Sequence, residues 1–469
     1  MTSVPIYIKS LVIKNIRRFE KANINFVRED GILPQWTLIL GDNGIGKTSI
    51  LQSIAWMKPL VHDAKDPDGI KIQKNKIEPS INNEDNETLE QLVNNNNFLN
   101  AKIHATYIAN LEFNKKSDLS NEKICTSEII IKLDKEFKLH KVPMKFDTNA
   151  EDIFFDREVL ILPYSASRRL GKTNLYESNL TDPFVLFNAD DTQLYDLEEI
   201  LHTVNYASLG SDKKESAKHK RYKDKVLKML TSILPSHDEV EEIEISVPKV
   251  VSNILRPGSV NIKYKKRKDV TYSNLSLGYK SVLALAGDIS WRLFNEYPDS
   301  GDPLKESAIV ILDEVDLHLH PLWQREIIHK LSDNFPNVQF IATAHSPLIV
   351  QAALDANFEI LKEIANVVMV ISDTENIDGW RIDQILTSDF FGLNTARGPE
   401  IEKKINERRE LLKKTHLSAN EKQKLDILNN EIYDLPVGNT KSEVDAMQLL
   451  KSFSKKLEEI KAKKNDPNS

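Results

Sequence analysis

One cysteine, Cys125, stands in 469 residues. A lone thiol excludes an internal disulfide and argues against a zinc site built on cysteines. No apolar run approaches the roughly 18 residues that a membrane-spanning helix needs. The opening stretch MTSVPIYIKSLVIKNIRRFE lacks the uninterrupted apolar core and the small-residue cleavage site of a signal peptide. An excess of positive charge is missing too. There are 63 Lys and Arg against 70 Asp and Glu, a net charge of -7, so any contact with nucleic acid must rest on a local patch. No internal repeat is visible. These absences favour a protein of the reducing cytoplasm with no membrane partner. What is present is ordinary for a globular chain, 40% hydrophobic and 28% charged residues. The length asks for two or three structural units.

Apolar and polar residues mostly alternate from Tyr7 to Phe26, which predicts a β-hairpin. WTLIL, Trp36 to Leu40, suits a buried strand, and behind it a glycine-rich turn leads into the helical spacing of KTSILQSIAWM. From about Pro59 the character changes, and Ile81 to Asn100, rich in asparagine and acid, reads as a loop. Strand-like pieces follow between 101 and 150. EVLILPYSASRRL predicts a buried strand ending in a polar loop, and residues 193–234 predict helices with a basic segment. SAIVILDEVD, NVQFIATAHSP and NVVMVISDTE predict three further strands. After Trp380 the pattern is helical. Ile401, Ile405 and Leu412 mark one helix, and a capping box from Ser418 to Glu421 opens a second with Leu425, Leu428 and Ile432. A stripe from Val444 to Ile460 marks a third, suited to packing on its own domain or on another chain.

The expected division is an α/β head in two lobes, residues 1–58 and 271–380. A β-containing insertion fills 59–150, a helical lid or arm region with the basic segment fills 151–270, and helices for oligomer or partner contact fill 381–469.

GDNGIGKTS, Gly41 to Ser49, has the spacing G-x-x-x-x-G-K-T between a predicted strand and a predicted helix. Glycines let the backbone curl so that successive N–H groups face phosphate oxygens, and the helix behind adds the positive end of its dipole. In this layout Lys47 reaches the β- and γ-phosphates of ATP and Thr48 offers a hydroxyl to Mg²⁺. Asn43, Gly44 and Ser49 belong to the same loop.

The strand AIVIL ends at Asp313 and Glu314. Ligands of open α/β sheets sit at the carboxyl ends of strands, so this acidic pair shares a rim with the phosphate loop. Asp313 can reach Mg²⁺, and Glu314 can polarise a water for attack on the γ-phosphate. His345 follows another buried strand on that rim and is the second candidate for catalysis. His318 and His320 are two positions apart, a spacing unsuited to one metal on a helix. A turn leading to a helix with Pro321 in its first turn accounts for them better.

SNLSLGYKSVLALAGDISW narrows the class. Leu275-Ser276-Leu277-Gly278 resembles the signature motif of the ABC-type ATPases of the SMC and RecF group, a helix-sized interval before the acidic strand as in that group. Asn15-Ile16-Arg17 with Phe19 resembles the group's N-terminal motif, Asp316 its D-loop and His345 its switch histidine. The resemblance implies an ABC-type, SMC-like P-loop ATPase head in which Arg17 lies near the nucleotide. It further implies that Ser276 and Gly278 bind the γ-phosphate held by a second copy, closing two chains head to tail over two ATP molecules. The sequence departs from the group at Tyr279 and Lys280, where Gln or Glu is usual. YSASRR, Tyr164 to Arg169, stands at the strand end where the group carries its Q-loop glutamine.

The long arms of the SMC group are absent. HLHP after the acidic pair, and the stretch from Asp389 onward, resemble the compact ATPases related to the OLD proteins, and among these the PtuA-type ATPases of Septu and retron-associated anti-phage defence systems. Nothing after Trp380 offers the strand ends of a Toprim nuclease. The resemblance therefore implies a separate effector nuclease, HNH-type, triggered by phage infection. The basic stretches Lys213 to Lys225 and Lys263 to Lys268 are candidates for DNA contact. Two other readings stay open: a RecF-like repair ATPase acting directly on DNA, and an ATP-bound scaffold with little turnover, which Glu314 argues against.

Overall fold

A strand that is apolar at every position has no face to give to water, so it must be covered on both sides. In a computed structural model of the chain, AIVIL is such a strand. The structure describes residues 5–28, 30–65, 72–79, 100–109, 113, 115, 123–132, 138–146, 159–173, 175, 193–251, 254–256, 258–373, 377–414 and 416–433. They fall into two compact units, residues 1–392 and 393–469.

The central sheet of the first unit holds β3 (Trp36–Gly41), β9 (Ile161–Tyr164), β17 (Ala308–Leu312), β18 (Val338–Thr343), β19 (Asn357–Ile364) and β20 (Val367–Asp373). Their order is β20-β19-β3-β18-β17-β9. All pairs are parallel except β19 with β20. The period of two along each strand separates two cores. Ile39, Ile309, Ile311 and Ile341 enter one; Leu38, Leu40, Val310, Leu312, Phe340 and Ala342 enter the other.

On the first face lies α1 (Lys47–Trp56), with Ile50, Leu51, Ile54 and Trp56 buried. An antiparallel sheet shares that core. Its strands are β1 (Ile6–Ile16), β2 (Phe19–Asn25), β6 (Asn100–Ala109), β7 (Lys123–Lys132) and β8 (Lys138–Phe146), in the order β2-β1-β6-β7-β8. Gln339 of β18 ties β1 to the central sheet: its amide accepts from the Ile8 N–H and donates to the Ile8 carbonyl, both at 2.9 Å. A small hairpin joins β4 (Pro59–Lys65) to β5 (Ile72–Pro79).

The second core lies under helices. α2 (Leu197–Ala207) and α3 (Lys213–Ile233) start at Asp196 and Asp212, whose carboxylates accept from backbone N–H groups of the first turn. α4 (Leu277–Glu296) and α6 (Ile327–Asn334) complete the layer, with α5 (Pro321–Gln324), α7 (Pro347–Ala352) and α8 (Ile382–Thr387) as short connectors. Minor sheets pair β10 (Arg169–Thr173) with β11 (Gln193–Tyr195), β13 (Lys249–Val251) with β14 (Ile254–Arg256), and β15 (Val260–Tyr264) with β12 (Val240–Ile245) and β16 (Val270–Thr271).

In the second unit α9 (Pro399–Leu412) and α10 (Ala419–Tyr433) form a hairpin. Lys404–Glu431 and Lys424–Glu407 ion pairs, each 3.0 Å, cross it. Ser418 and Glu421 make the reciprocal bonds of a capping box, Ser418 N to Glu421 Oε2 at 2.9 Å and Glu421 N to Ser418 Oγ at 3.3 Å. The expected helix from Val444 to Ile460 and the asparagine-rich stretch 81–99 lie outside the described residues.

The α/β P-loop head expected from the sequence is present. The sequence reading differs from the structure at several strands. Residues 357–364 form β19, directly beside the phosphate-loop strand, and β10, β11 and β12 to β16 lie where a helical lid or arm was expected. No described helix is long and apolar enough to cross a membrane.

Candidate nucleotide-binding site

Because β3, β9, β17 and β18 are parallel, their carboxyl ends meet at one rim. That rim gathers the phosphate loop, the acidic pair, His345 and the YSASRR loop. In the phosphate loop Gly41, Gly44 and Gly46 all take positive φ, at 140°, 73° and 116°. Gly46 is fixed by contact as well as conformation. A Cβ there would lie 2.8 Å from the Phe19 ring, which closes the turn from the β1–β2 hairpin side. Asp42, Asn43 and Gly44 are exposed at the loop tip.

Lys47 begins α1 and is buried. Its Nζ donates to the carbonyls of Gly41 at 2.7 Å and Asp42 at 3.0 Å. Burial lowers its pKa, while Asp313, Glu314, Asp42 and Asp316 pull it back up. An incoming triphosphate would replace the loop carbonyls as its acceptors and favour the charged form. Thr48 Oγ1 donates to Asp313 Oδ2 at 2.7 Å, and Thr343 Oγ1 donates to Asp313 Oδ1 at 2.6 Å. Both oxygens of the acidic residue are thus oriented by hydroxyls from α1 and β18. The N–H of Glu314 donates to the same Thr343 Oγ1 at 2.7 Å. Thr343, which the sequence reading passed over, joins the two acids into one assembly.

Thr48 and Asp313 present hard oxygens of the kind Mg²⁺ takes. Among the described residues no group of three or more His, Cys, Asp or Glu could hold a metal. Thr48 and Asp313 are the residues that would hold such an ion.

Arg17 sits at the β1–β2 turn with φ 49°. Its Nη1 donates to Ser49 Oγ at 2.9 Å, and burial lowers its pKa. Asn15 is buried beside it, also with positive φ. Arg18, again passed over, donates to the Gly44 carbonyl at 2.9 Å and pairs with Glu363 of β19 at 2.6 Å, bracing the loop tip from outside. Asp316 accepts from the backbone N–H of His345, at 3.2 and 3.1 Å to its two oxygens, which fixes where the exposed His345 begins. His320 caps α5, its Nδ1 accepting from Leu322 N at 3.3 Å, and Pro321 is the first residue of that helix.

Arg168 is the third residue outside the sequence expectations. It lies in the YSASRR loop after β9, where no glutamine stands. It donates to the carbonyls of Asp313 and Glu314, at 2.8 and 2.9 Å.

Ser276 is the N-cap of α4. Its side chain makes no cap bond, and both it and Leu277 are exposed. At Gly278 a Cβ would stand 2.6 Å from the His318 carbonyl. Glycine is needed there because the loop after the acidic pair passes over the helix start. No hydrogen bond among the described residues joins Ser276 or Gly278 to the phosphate-loop network. Farther along α4, buried Asp288 accepts from Arg292 Nε at 2.6 Å, from the Tyr164 hydroxyl at 2.8 Å and from Tyr195 N at 2.9 Å. Tyr164 in turn accepts the Asp313 N–H on its carbonyl at 2.9 Å. The helix carrying the signature-like turn is therefore joined to the acidic strand end through one tyrosine.

The two basic stretches differ. Lys263 pairs with Glu242 and Glu244, Lys266 with Glu239 and Arg267 with Asp238. On α3, by contrast, Lys213, Lys214, Lys220, Arg221 and Lys228 are exposed and have no ion-pair partner among the described residues. Tyr206, 82% exposed, lies in the last turn of α2, and Leu209, 72% exposed, in the turn that leads to α3.

A family model described as AAA domain, putative AbiEii toxin, Type IV TA system matches residues 37–351. The Septu protein PtuA of Bacillus mycoides strain KBAB4 is 26% identical over 442 residues, covering 90% of this chain and 50% of that protein. The Retron Vc95 probable ATPase of Vibrio cholerae serotype O1 biovar El Tor is 35% identical over 139 residues, covering 29% of this chain and 25% of that protein. The chain thus spans a quarter to a half of the length of these two curated relatives. Among solved structures, an SMC head bound to the C-terminal winged-helix domain of ScpA superposes with a TM-score of 0.44 and 14% identity, covering 78% of this chain and 98% of that one.

Proposed function

The chain belongs to the AAA-domain family whose model spans residues 37–351, and from that premise we propose that it is the ATP-binding and ATP-hydrolysing subunit of a bacterial anti-phage defence complex, acting in the cytoplasm. In this reading its nucleotide state controls a separate nuclease of HNH type. The observation that carries the ATPase part is the hydroxyl assembly of Thr48, Asp313, Thr343 and the Glu314 N–H, built next to Lys47 at one sheet rim. The Septu and retron names of the relatives support the defence setting.

The loop backbone and the start of α1 hold the phosphates, with Lys47 leaving its own loop carbonyls for the β- and γ-phosphate oxygens. Arg17, held by Ser49, supports the nucleotide from the hairpin side. Thr48 and Asp313 would hold Mg²⁺. When bound, the ion supplies charge neutralisation across the β- and γ-phosphates. Glu314 accepts the proton of the attacking water, and His345 donates to the γ-phosphate as charge builds there. The exposed serine of the Ser276 turn, whose side chain makes no hydrogen bond among the described residues, is offered to the γ-phosphate of a second copy, so that two chains close head to tail over two ATP molecules. Asp316 orders the same seam through the His345 N–H.

Glu314→Gln is expected to bind ATP and hydrolyse it about 10²- to 10⁴-fold more slowly. Normal turnover would remove Glu314 as the base. Ser276→Arg is expected to bind ATP as a single chain but not to pair on it, read by light scattering. Unchanged pairing would remove the composite site.

A second reading, a RecF- or SMC-like ATPase acting directly on DNA, is favoured by one observation, the unpaired basic face of α3 with Tyr206 beside it. In the stretch Lys263 to Lys268 three of the five cations are already in ion pairs, which leaves Lys265 and Lys268.

A further inference from the structure

Arg168 is far from the acidic pair in sequence yet holds its backbone. Its Nη1 donates to the Asp313 carbonyl at 2.8 Å and its Nη2 to the Glu314 carbonyl at 2.9 Å. Burial lowers its pKa, against the pull of Asp313, Glu314 and Asp316. An arginine present only to neutralise those acids would lie on their carboxylates. Here both arms lie on peptide carbonyls, a placement that the planar fork of a guanidinium can span and a lysine cannot.

The residue so held is strained. Glu314 has φ 50°, a left-handed conformation that side chains other than glycine adopt at a cost. Its N–H is fixed by the Thr343 hydroxyl at 2.7 Å, and its carbonyl is fixed by Arg168. The two peptide groups that flank the Glu314 Cα are thus pinned from different strands, one from β18 and one from the loop after β9. Strain of this kind persists only where the surroundings impose it.

We propose that Arg168 is the positioning residue for Glu314. By bridging the Asp313 and Glu314 carbonyls it holds the left-handed turn that fixes the direction of the Glu314 side chain at the rim that also carries Lys47. It touches neither substrate nor water itself. The inference rests on the reading of Glu314 as the general base.

The test uses the full chain with magnesium and ATP, comparing Arg168→Lys, Arg168→Met and Glu314→Gln. Lysine can reach one carbonyl at a time and methionine neither. The kcat is expected to fall about tenfold in Arg168→Lys and about a hundredfold in Arg168→Met. Affinity for a fluorescent ATP analogue should stay within about twofold, because only an interaction made at the transition state has been lost. In the Glu314→Gln background, Arg168→Met should add no further loss of kcat, since residues acting as a unit are not additive. If Arg168→Met fails to fold, the kcat-against-affinity split in Arg168→Lys decides alone.

Three results in variants carrying an Arg168 substitution would overturn the inference: a joint fall of affinity and kcat, which would put the guanidinium on the nucleotide; unchanged kcat in both single variants; or a full additional loss in the double variant. Normal turnover in Glu314→Gln would sink both the base assignment and this inference. An impaired Glu314→Gln beside a fully active Arg168→Lys and Arg168→Met would sink this one only.

Discussion

Glu359 offers the sharpest test of the central sheet. It lies in β19, fully buried, beside the strand that delivers the phosphate loop. Burial raises its pKa from the ordinary 4.5 to about 7, although Ser372, Asn357 and the Asn25 N–H donate to its oxygens and pull the other way. In the folded chain the carboxyl therefore keeps its proton up to about pH 7, while in the unfolded chain it keeps it only to about 4.5. Between these values the folded form binds more protons, so stability falls as pH rises across the window and levels off above it. At about 1.4 kcal/mol per pH unit, the interval amounts to roughly 3 kcal/mol. Glu359→Gln removes the titration and keeps the shape. The variant should lie within about 1 kcal/mol of the parent near pH 5 and exceed it by roughly 3 kcal/mol near pH 8. Urea unfolding at both pH values, followed by the fluorescence of buried Trp36 and Trp56, measures the difference. A variant that is equally destabilised at both values, or that gains nothing at the higher one, would refute the reasoning.

Three further outcomes are expected. Arg292→Met leaves buried Asp288 with the Tyr164 hydroxyl and the Tyr195 N–H as its hydrogen-bond donors among the described residues, and should cost about 3–5 kcal/mol in urea unfolding. Gly278→Ala places a methyl 2.6 Å from the His318 carbonyl; it should cost about 1–3 kcal/mol by the same measurement, the price of moving that loop. On the second, DNA-acting reading, exchanging Lys220 and Arg221 together for Glu should weaken binding of a DNA duplex and flatten its salt dependence by about 2 in log–log slope. The same exchange at Lys266 and Arg267 should change neither, because those cations are already paired.

Much of the head was legible in the sequence, for reasons visible in particular residues. The phosphate loop and the acidic strand end are local: their chemistry is written within nine and seven residues, and strands on either side confirm the context. β19 was not legible. NFEILKEI carries two glutamates, an asparagine and a lysine, which is no signature of a buried central strand. Its first five residues are buried nonetheless, because Asn25, Asn357 and Ser372 satisfy Glu359, while Lys362, Glu363 and Ile364 run out toward the surface. Arg168 and Thr343 were missed for a related reason. Each acts on a backbone group or a carboxylate that only the sheet order brings near. Gly278 could be picked out by its motif, yet the contact that demands a glycine comes from His318, forty residues on.

The anchor at Asp288 has a mechanical consequence. It grips α4 twelve residues from Ser276, roughly 18 Å at the helical rise. Such a helix behaves as a rod clamped at mid-length, and a load applied at its exposed tip becomes a torque on the clamp. The clamp is Tyr164, whose other end holds the Asp313 N–H. Docking of a neighbour against the tip would thus be felt at the Asp313 end of β17 in the same molecule, without any hinge loop in between.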